Sequence, residues 1–443
     1  MASVETGRRD SSKPVGLIQL FRQFMCRTRW TGQIAPVEPF QIYSPSLLSP
    51  TMNGQPEILS NRVRILSISS LLGIAPTPLF TSSKASEDFT SLLEPEYEFT
   101  VSKYSDLALL LPWSSQLYSL TLVGSELVEY LPDAFSALQE FTIINCHNFK
   151  YPCSERCSNF LSTLHIHGCP NVEFPVHNFA LLQKLTIDRS CNSLTCLSAD
   201  LFPRLKCLYL YNCPSLVSIS VSRFPVFLSA LESLHIHECP NLMSFSTVLL
   251  TPKLSSLWFI NCQSLHKLPN FMNFLTHRVQ LRLQKCPNLE FFPAHSSLLS
   301  SVDSLSIVSC DKLTPTKEWR LHSLHALVDL EIIGGCIGLE SFPDEGLLPS
   351  SLERLCLSSL VDIKILDYKG LQHLTNLKNL EIDRCSKLQT FKGLPSSLNS
   401  LHINECPVLK AKLSTKKDKY WCIPEVTIDG EEVSTCETSD IDT

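Results

Sequence analysis

The sequence is poor in charged residues and contains no long apolar segment. Charged residues make up 18% of the 443 positions and the net charge is −6, so the composition does not favour nucleic acid as a partner. No run reaches the roughly 18 consecutive apolar residues that a membrane-spanning helix requires. The apolar run at residues 15–20 is short and is closed by Arg22, which argues against a secretory signal. We therefore expect a protein of the cytoplasm without a membrane span, and entry into the nucleus is left open.

The motifs of common enzymes are also missing. No glycine is followed by lysine, so the phosphate loop G-x-x-x-x-G-K-[ST] is absent. The sequence contains no G-x-S-x-G, no H-E-x-x-H, no H-R-D and no D-F-G. No two cysteines have the C-x-x-C spacing. We therefore expect a chain that is not an enzyme and that holds no metal.

Cysteine, by contrast, is abundant, with 19 residues, and most cysteines follow one spacing. The frame L-x-x-L-x-[LI]-x-x-C-x-x-L recurs, for example as LESLHIHECPNL (231–242) and LNSLHINECPVL (398–409). Successive copies are roughly 21–26 residues apart, which is the period of leucine-rich repeats. Two copies carry one extra residue before their cysteine, Cys191 or Cys336. The cysteines of the frame, predicted to form a structural ladder, are Cys146, Cys169, Cys191, Cys213, Cys239, Cys262, Cys286, Cys310, Cys336, Cys385 and Cys406.

The frame predicts a leucine-rich repeat solenoid, a horseshoe or arc of about 13–15 units. The alternation L-x-[LI] gives a short strand with apolar side chains inward and the intervening side chains outward. Stacked units then form a parallel β-sheet on the concave face, with irregular loops and short helical turns on the convex face. The cysteine follows the strand where the chain turns inward, and a small side chain that tolerates apolar surroundings suits that position. We expect these buried thiols to be free.

The repeats divide the chain into three parts. Residues 1–60, rich in Pro and Ser from residue 35 to 56, match no repeat and are expected to be poorly ordered or divergent. Residues 61–410 are expected to form the solenoid, which opens with VRILSISSLL at 63–72. A degenerate unit within residues 73–116 cannot be placed from the sequence. Residues 411–443 are expected to supply a cap strand and a disordered tail.

The outward strand positions predict a binding surface, because in a solenoid they form one extended face. Several of them carry tyrosine, tryptophan or histidine, and tyrosine and tryptophan are enriched at the energetic centres of protein interfaces. The candidate ligand-binding residues are His165, His167, Tyr209, Tyr211, His235, His237, Trp258, Arg282, Glu381 and Asp383.

The segment His235-Ile236-His237-Glu238-Cys239 also raises the question of a metal site. Side chains two residues apart on one strand lie about 6.5–7 Å apart, so a metal would need a third ligand from a neighbouring strand. The flanking units offer tyrosine, tryptophan and isoleucine there, which are poor ligands, and Cys239 is expected to face the core. The sequence thus favours two outward-facing histidines without a metal.

Three features together resemble the leucine-rich repeat region of plant intracellular nucleotide-binding leucine-rich repeat disease resistance proteins, coiled-coil class. They are the unit L-x-x-L-x-I-x-x-C-P-x-L, the phrase FPDEGLLPSSL (342–352) with its echo GLPSSL (393–398), and the tail after Cys406. In that tail a lysine-rich stretch (410–419) precedes Trp421 and IDGE (428–431). The resemblance implies a module for plant defence that binds a protein ligand, either a pathogen effector or a host protein that effectors alter.

The sequence departs from this family because it contains no phosphate loop. ADP or ATP would belong to a nucleotide-binding domain, so no cofactor is expected in this chain, although such a domain acting in trans is a further partner that the resemblance allows. Two alternatives stay open. One is a stand-alone adaptor, such as a substrate receptor for ubiquitin ligation, although residues 1–60 show no suitable helical pattern for an F-box. The other is a decayed receptor fragment without activity.

Overall fold

The computed structural model describes residues 64–67, 97–101 and 117–433, and residues 107, 110, 111, 114 and 115 between them. Within the long stretch there are gaps at 175–176, 222–225, 247–248, 270–274, 276, 291–300, 316–320, 392 and 415–422. The predicted N-terminal segment 1–60 and the tail after residue 433 lie outside the described residues.

One large sheet runs through the described residues. It contains 17 strands; consecutive strands pair with each other, and all pairings between them are parallel except the last, between β16 and β17. This parallel stacking of repeats confirms the predicted solenoid. The strands are β1 (Arg64–Ser67), β2 (Tyr97–Val101), β3 (Ser119–Val123), β4 (Glu140–Ile144), β5 (Thr163–His167), β6 (Lys184–Asp188), β7 (Cys207–Tyr211), β8 (Ser233–His237), β9 (Ser256–Ile260), β10 (Val279–Gln284), β11 (Val302–Val308), β12 (Asp329–Ile333), β13 (Arg354–Ser358), β14 (Asn379–Asp383), β15 (Ser400–Asn404), β16 (Glu425–Ile428) and β17 (Glu431–Glu432).

The strand register keeps equivalent positions of the repeat in line. Leu234 of β8 pairs with Leu208 of β7 and with Leu257 of β9, and all three side chains are buried. Each such side chain contributes about 1.5–3 kcal/mol on burial, and it needs the neighbouring repeats to be covered. The intervening positions point to the other side of the sheet, which we call the open face. It corresponds to the face that the sequence predicts as concave.

A single residue in the left-handed backbone region ends most strands of the large sheet. Asn145, Asn212 and Asn261 have φ of 53°, 50° and 54°, and asparagine is enriched in this region. Glu238 and Lys285 adopt the same conformation, with φ of 54° and 51°. This residue turns the chain inward, so the next side chain enters the core.

The ladder cysteines follow this turn and hydrogen-bond to the end of their own strand. The thiol of Cys169 donates to the carbonyl oxygen of His167 at 3.2 Å, and the same oxygen accepts the N–H of Asn145 from the preceding repeat at 2.8 Å. The thiol therefore uses the second lone pair of a carbonyl already engaged in the sheet. The same thiol bond, at 3.3–3.7 Å, recurs at Cys146, Cys213, Cys239, Cys262, Cys286, Cys310, Cys385 and Cys406, all free thiols.

Cys191 departs from the predicted ladder because its repeat carries an extra residue. The hydroxyl of Ser190 takes the place of the thiol, donating to the carbonyl of Asp188 at 2.7 Å and accepting the N–H of Cys169 at 2.9 Å. Cys191 follows with φ of 58° and is still buried. A hydroxyl can therefore do what the thiol does at this position.

Cys336 departs in the same way. Gly335 stands directly after the left-handed Gly334, and a Cβ on Gly335 would lie 3.1 Å from the backbone nitrogen of Cys310. The thiol of Cys336, one residue later, donates to the carbonyl of Leu313 at 3.7 Å instead of to its own strand. The extra residue is thus accommodated by glycine at the ladder position.

Behind the core the chain returns through short strands and a few helical turns. Three small parallel sheets are formed by Cys196–Ser198, Ser218–Ser220 and Ser244–Phe245, by Ser341–Phe342, Ile365–Leu366 and Thr390–Phe391, and by Val226–Phe227 and Leu249–Leu250. The helical segments are Glu155–Ser158, Ala199–Leu201, Leu321–Ser323, Tyr368–Leu371 and Pro407–Ser414. No helix in the described part of the chain combines the length and apolar character needed to cross a membrane.

The two ends of the sheet show where the array starts and stops in the described chain. Strand β1 lies within the predicted opening copy at 63–72, and β2 pairs with both β1 and β3. Strand β2 therefore supplies the unit that the sequence could not place within 73–116. At the other end, β16 pairs with β15, and the antiparallel β17 follows it.

Candidate site on the open face of the sheet

The candidate site is a group of rings on neighbouring strands of the open face. Tyr209 on β7 pairs with His235 on β8, which pairs with Trp258 on β9. Two residues later in the same strands, Tyr211 pairs with His237. All five side chains are half-buried and none points into the core. We call these five residues the ring cluster.

The rings of the cluster stack on one another across the strands. The His235 and Trp258 centroids are 4.1 Å apart with an interplanar angle of 3°, and those of Tyr209 and His235 are 4.9 Å apart at 39°. Tyr211 meets His237 edge to face, with centroids 4.8 Å apart at 86°. These spacings match the roughly 4.8 Å between parallel strands, so the register itself brings the rings together. Each pair adds about 0.5–1.5 kcal/mol beyond its buried area.

Burial within the cluster keeps the histidines neutral. Desolvation lowers the pKa of His235 to about 4. Desolvation, with smaller contributions from His235 and Arg282, lowers the pKa of His237 to about 4. The Nε2 atom of His235 lies 2.9 Å from the Ser256 hydroxyl. The cluster is therefore an uncharged aromatic surface at neutral pH.

Polar groups at the centre of the cluster are shielded from solvent. Desolvation raises the pKa of Tyr209 to about 12, and burial together with the charge of Asp188 raises the pKa of Tyr211. The Nε2 atom of His237 is buried and has no hydrogen-bond partner within the described residues. An unsatisfied buried polar atom costs roughly 1–3 kcal/mol, so this stretch of the face is not optimised for stability alone.

A positively charged side chain lies next to the outer ring at each end of the cluster. The guanidinium carbon of Arg282 lies 5.8 Å from the Trp258 ring centroid, and the ammonium of Lys184 lies 5.9 Å from the Tyr209 ring centroid. Arg282 donates from Nε and Nη2 to the side-chain oxygen of Gln284 at 3.3 and 3.0 Å, which fixes its orientation. Contacts of this kind contribute about 0.5–2 kcal/mol each.

The other two predicted histidines stand apart from the cluster. His165 and His167 lie on β5, and β6 separates them from Tyr209. Nδ1 of His167 lies 2.7 Å from a carboxylate oxygen of Asp188. Burial, with the charge of Lys184, lowers the pKa of His165 to about 4. The predicted aromatic surface is thus a compact ring cluster with a separate histidine pair beside it.

The C-terminal part of the open face is an ion-pair network that sequence reasoning did not find. Arg354 donates to both oxygens of Glu381, at 3.1 and 2.9 Å, and to Asp329 at 3.0 Å. Burial alone would lower the pKa of Arg354, but the bonds and charges of the two carboxylates raise it. Burial raises the pKa of Asp329 against the effect of Arg354. Arg354 and Asp329 occupy the first position of their strands, directly before the second leucine of the frame.

Further carboxylates of this part are also occupied. Glu331 is 3% exposed and accepts the Ser306 hydroxyl at 2.6 Å. Asp383 accepts from Ser358 at 3.0 Å and from Asn404 at 3.1 Å, and it pairs with Arg384 at 2.8 Å. The predicted site residues Glu381 and Asp383 therefore hold the face together internally.

Strand β8 carries the two histidines that the sequence suggests as possible metal ligands. His235 and His237 point to the open face and Cys239 into the core, and the ring centroids of the two histidines are 6.2 Å apart. Across the described residues, no group of three or more histidine, cysteine or acidic side chains is arranged to hold a metal ion.

The sequence is similar to parts of longer plant proteins. No family model matches the chain. A candidate disease resistance protein of Arabidopsis thaliana is 36% identical over 354 residues, which is 76% of this chain and 25% of that protein. The Arabidopsis disease resistance protein RPS4B is 29% identical over 161 residues, 36% of this chain and 13% of that protein. The chain thus spans a quarter or less of the length of these relatives.

Among solved structures, a leucine-rich repeat protein of Leptospira interrogans shows 18% identity and a TM-score of 0.43, over 75% of this chain and 89% of that one. TLR13, in its complex with ssRNA13, shows 16% identity and a TM-score of 0.38, over 78% and 59%. The stacked parallel repeats and the sequence similarity lead to one conclusion: the chain is a leucine-rich repeat protein that is similar in sequence to part of plant disease resistance proteins.

Proposed function

We propose that this chain is a non-catalytic recognition module that binds a polypeptide on the open face of its sheet. The observation that carries the proposal is the ring cluster, three aromatic and two neutral imidazole rings on three neighbouring strands. Tyrosine and tryptophan dominate the energetics of protein interfaces because they bring large contact area at low entropic cost. The rings are already ordered by stacking, so binding would cost little further side-chain entropy.

The relatives support a role in plant defence. The two similar Arabidopsis proteins are described as disease resistance proteins, and in that setting the ligand would be a pathogen effector or a host protein that effectors alter. The ion-pair network around Arg354 is satisfied internally, which favours a supporting role for it. The proposal assigns no cofactor to this chain, since nucleotide binding would belong to another domain.

Alanine substitution of the cluster tests the proposal. A random dodecapeptide library displayed on phage is selected on the wild-type chain, and the affinity of recovered peptides is measured for the Tyr209→Ala/Tyr211→Ala/Trp258→Ala variant. Hot-spot truncation costs about 2 kcal/mol or more, so a loss of at least tenfold is expected. The control replaces two exposed tyrosines outside the large sheet, Tyr130→Ala/Tyr151→Ala, and should bind normally.

Two outcomes would contradict the proposal. One is unchanged binding by the triple variant, and the other is equal loss in the control. Urea unfolding of both variants separates a loss of binding from a loss of fold. If the alanine variant unfolds, Trp258→Phe is used instead, because it keeps an aromatic ring on β9.

A further inference from the structure

The two cations beside the ring cluster, Lys184 and Arg282, form no direct ion pair within the described residues. Arg354, by contrast, lies between two carboxylates. Arg282 uses two of its five N–H groups on Gln284, and the other three have no acceptor within the part of the chain that the structure describes.

The stacked pair at one side of the ring cluster, His235 and Trp258, presents ring edges to an incoming ligand. The planes of His235 and Trp258 are parallel and stacked along the direction in which the strands repeat. Arg282 covers Trp258 from the next strand, so both faces of the indole are occupied. The edge of an aromatic ring carries the positive end of its quadrupole, and edges therefore favour oxygen acceptors and anions.

The two observations together give this stretch of the face a positive character. We infer that the polypeptide bound here is an acidic segment, with carboxylates that pair with Lys184 and Arg282 while its backbone carbonyls lie over the ring edges. This inference rests on the proposed function and specifies its ligand. Two carboxylates of the face bear on these cations, and both have hydrogen-bond partners within the protein. Asp188 is engaged by His167 and Asn212. Glu331, whose charge opposes the lowering of the Arg282 pKa by burial, accepts the Ser306 hydroxyl.

The strand spacing sets the pattern of the segment. Lys184 lies on β6 and Arg282 on β10, four strand intervals or about 19 Å apart. An extended chain crossing the strands advances about 3.3 Å per residue, so the two acidic residues would be about six positions apart. Residues separated by an even number in an extended chain point to the same side, which lets both carboxylates reach the face.

A polypeptide fits this charge pattern better than a nucleic acid does. The cations are only two and are widely spaced, whereas a nucleic acid carries a phosphate at every residue. The adjoining strands β11–β15 carry four carboxylates and one guanidinium on their open-face positions: Asp329, Glu331, Glu381, Asp383 and Arg354. A long polyanion crossing the whole sheet would meet repulsion there.

The composition of selected peptides tests the inference. The random dodecapeptide library is selected in parallel on the wild-type chain, on Lys184→Gln/Arg282→Gln, and on a control with the same loss of charge, Lys206→Gln/Lys285→Gln. Lys206 and Lys285 are exposed and flank strands of the same stretch outside the face positions. The wild type and the control should enrich aspartate and glutamate, with pairs about six residues apart, and the double variant should lose that enrichment.

Affinities of one selected acidic peptide complete the test. Hydrogen bonds to a charged group are stronger than those between neutral groups, so Arg282→Gln should weaken binding of the peptide about tenfold or more. Raised salt should also weaken wild-type binding. The inference is overturned if the peptides selected on the wild-type chain are not enriched in aspartate and glutamate, or if no peptide is recovered. It is also overturned if peptides selected on Lys184→Gln/Arg282→Gln keep that enrichment. If a single-stranded RNA 12-mer binds more tightly than the peptide and its binding requires Arg282, the inference of an acidic polypeptide is wrong and this stretch recognises nucleic acid. If the selected peptides lose affinity for the Tyr209→Ala/Tyr211→Ala/Trp258→Ala variant but contain no acidic residues, the proposed function stands and this inference is refuted.

Discussion

Mild acid is expected to destabilise the repeats around the ring cluster, because three histidines resist protonation there. His165, His235 and His237 have pKa values of about 4 in the folded chain, against about 6.5 for an exposed imidazole. The unfolded chain therefore binds more protons between about pH 4 and pH 6.5, and stability falls as the pH is lowered through that window. A pH of about 5 is 1.5 units below the pKa of an imidazole in the unfolded chain. Lowering the pH from about 7.5 to about 5 should therefore reduce the unfolding free energy by about 2 kcal/mol for each of these histidines.

Urea unfolding followed by circular dichroism at these two pH values measures the effect. His235→Phe keeps a ring next to Trp258 but removes one titrating group, so its stability should fall by about 2 kcal/mol less than that of the wild type. Other groups titrate equally in both proteins and cancel in the comparison. His147→Phe, at an exposed position, should behave like the wild type. An identical pH dependence in His235→Phe and the wild type would refute the account of a buried neutral imidazole.

The remaining predictions concern the ladder and the ion-pair network. In urea unfolding, Cys239→Ser should lower the unfolding free energy by no more than about 1 kcal/mol, because the Ser190 hydroxyl makes the same bonds at the equivalent position. Cys239→Asp should unfold several repeats, since a buried unpaired charge costs about 3–5 kcal/mol. A folded, stable Cys239→Asp variant would contradict the buried cysteine ladder. Arg354→Met should cost about 3–5 kcal/mol because it leaves Glu381 and a second carboxylate half-buried without a partner. Lys378→Met breaks only an exposed pair and should cost at most about 1 kcal/mol; equal losses for the two would show that the network is not structural.

The period of the repeat was enough to predict the fold. Alternating leucines predict strands with one buried face, and their recurrence at the leucine-rich repeat period predicts that these strands stack in parallel. The register of Leu208, Leu234 and Leu257 shows this stacking. The sequence could not show which residue of an extended repeat enters the ladder. Ser190 and Gly335 take that position because they are small enough, and the frame aligned Cys191 and Cys336 on residue type alone.

The candidate site was predictable in position but not in character. Alternation along the strands placed Tyr209, His235 and Trp258 on the open face, where they lie. Their mutual stacking and partial burial depend on side-chain packing between strands that are more than 20 residues apart, which a single-strand pattern does not contain. The partnership of Arg354 with carboxylates from two neighbouring strands was missed for the same reason.

Footprinting of the tyrosine and tryptophan side chains tests the central claim most directly. Hydroxyl-radical oxidation, read by mass spectrometry, is compared for the chain alone and with a peptide from the library bound. The account predicts slower oxidation of Tyr209, Tyr211 and Trp258 in the complex, while Tyr130 and Tyr151, exposed outside the large sheet, stay unchanged. Protection of Tyr130 and Tyr151 with no change at the ring cluster would contradict it.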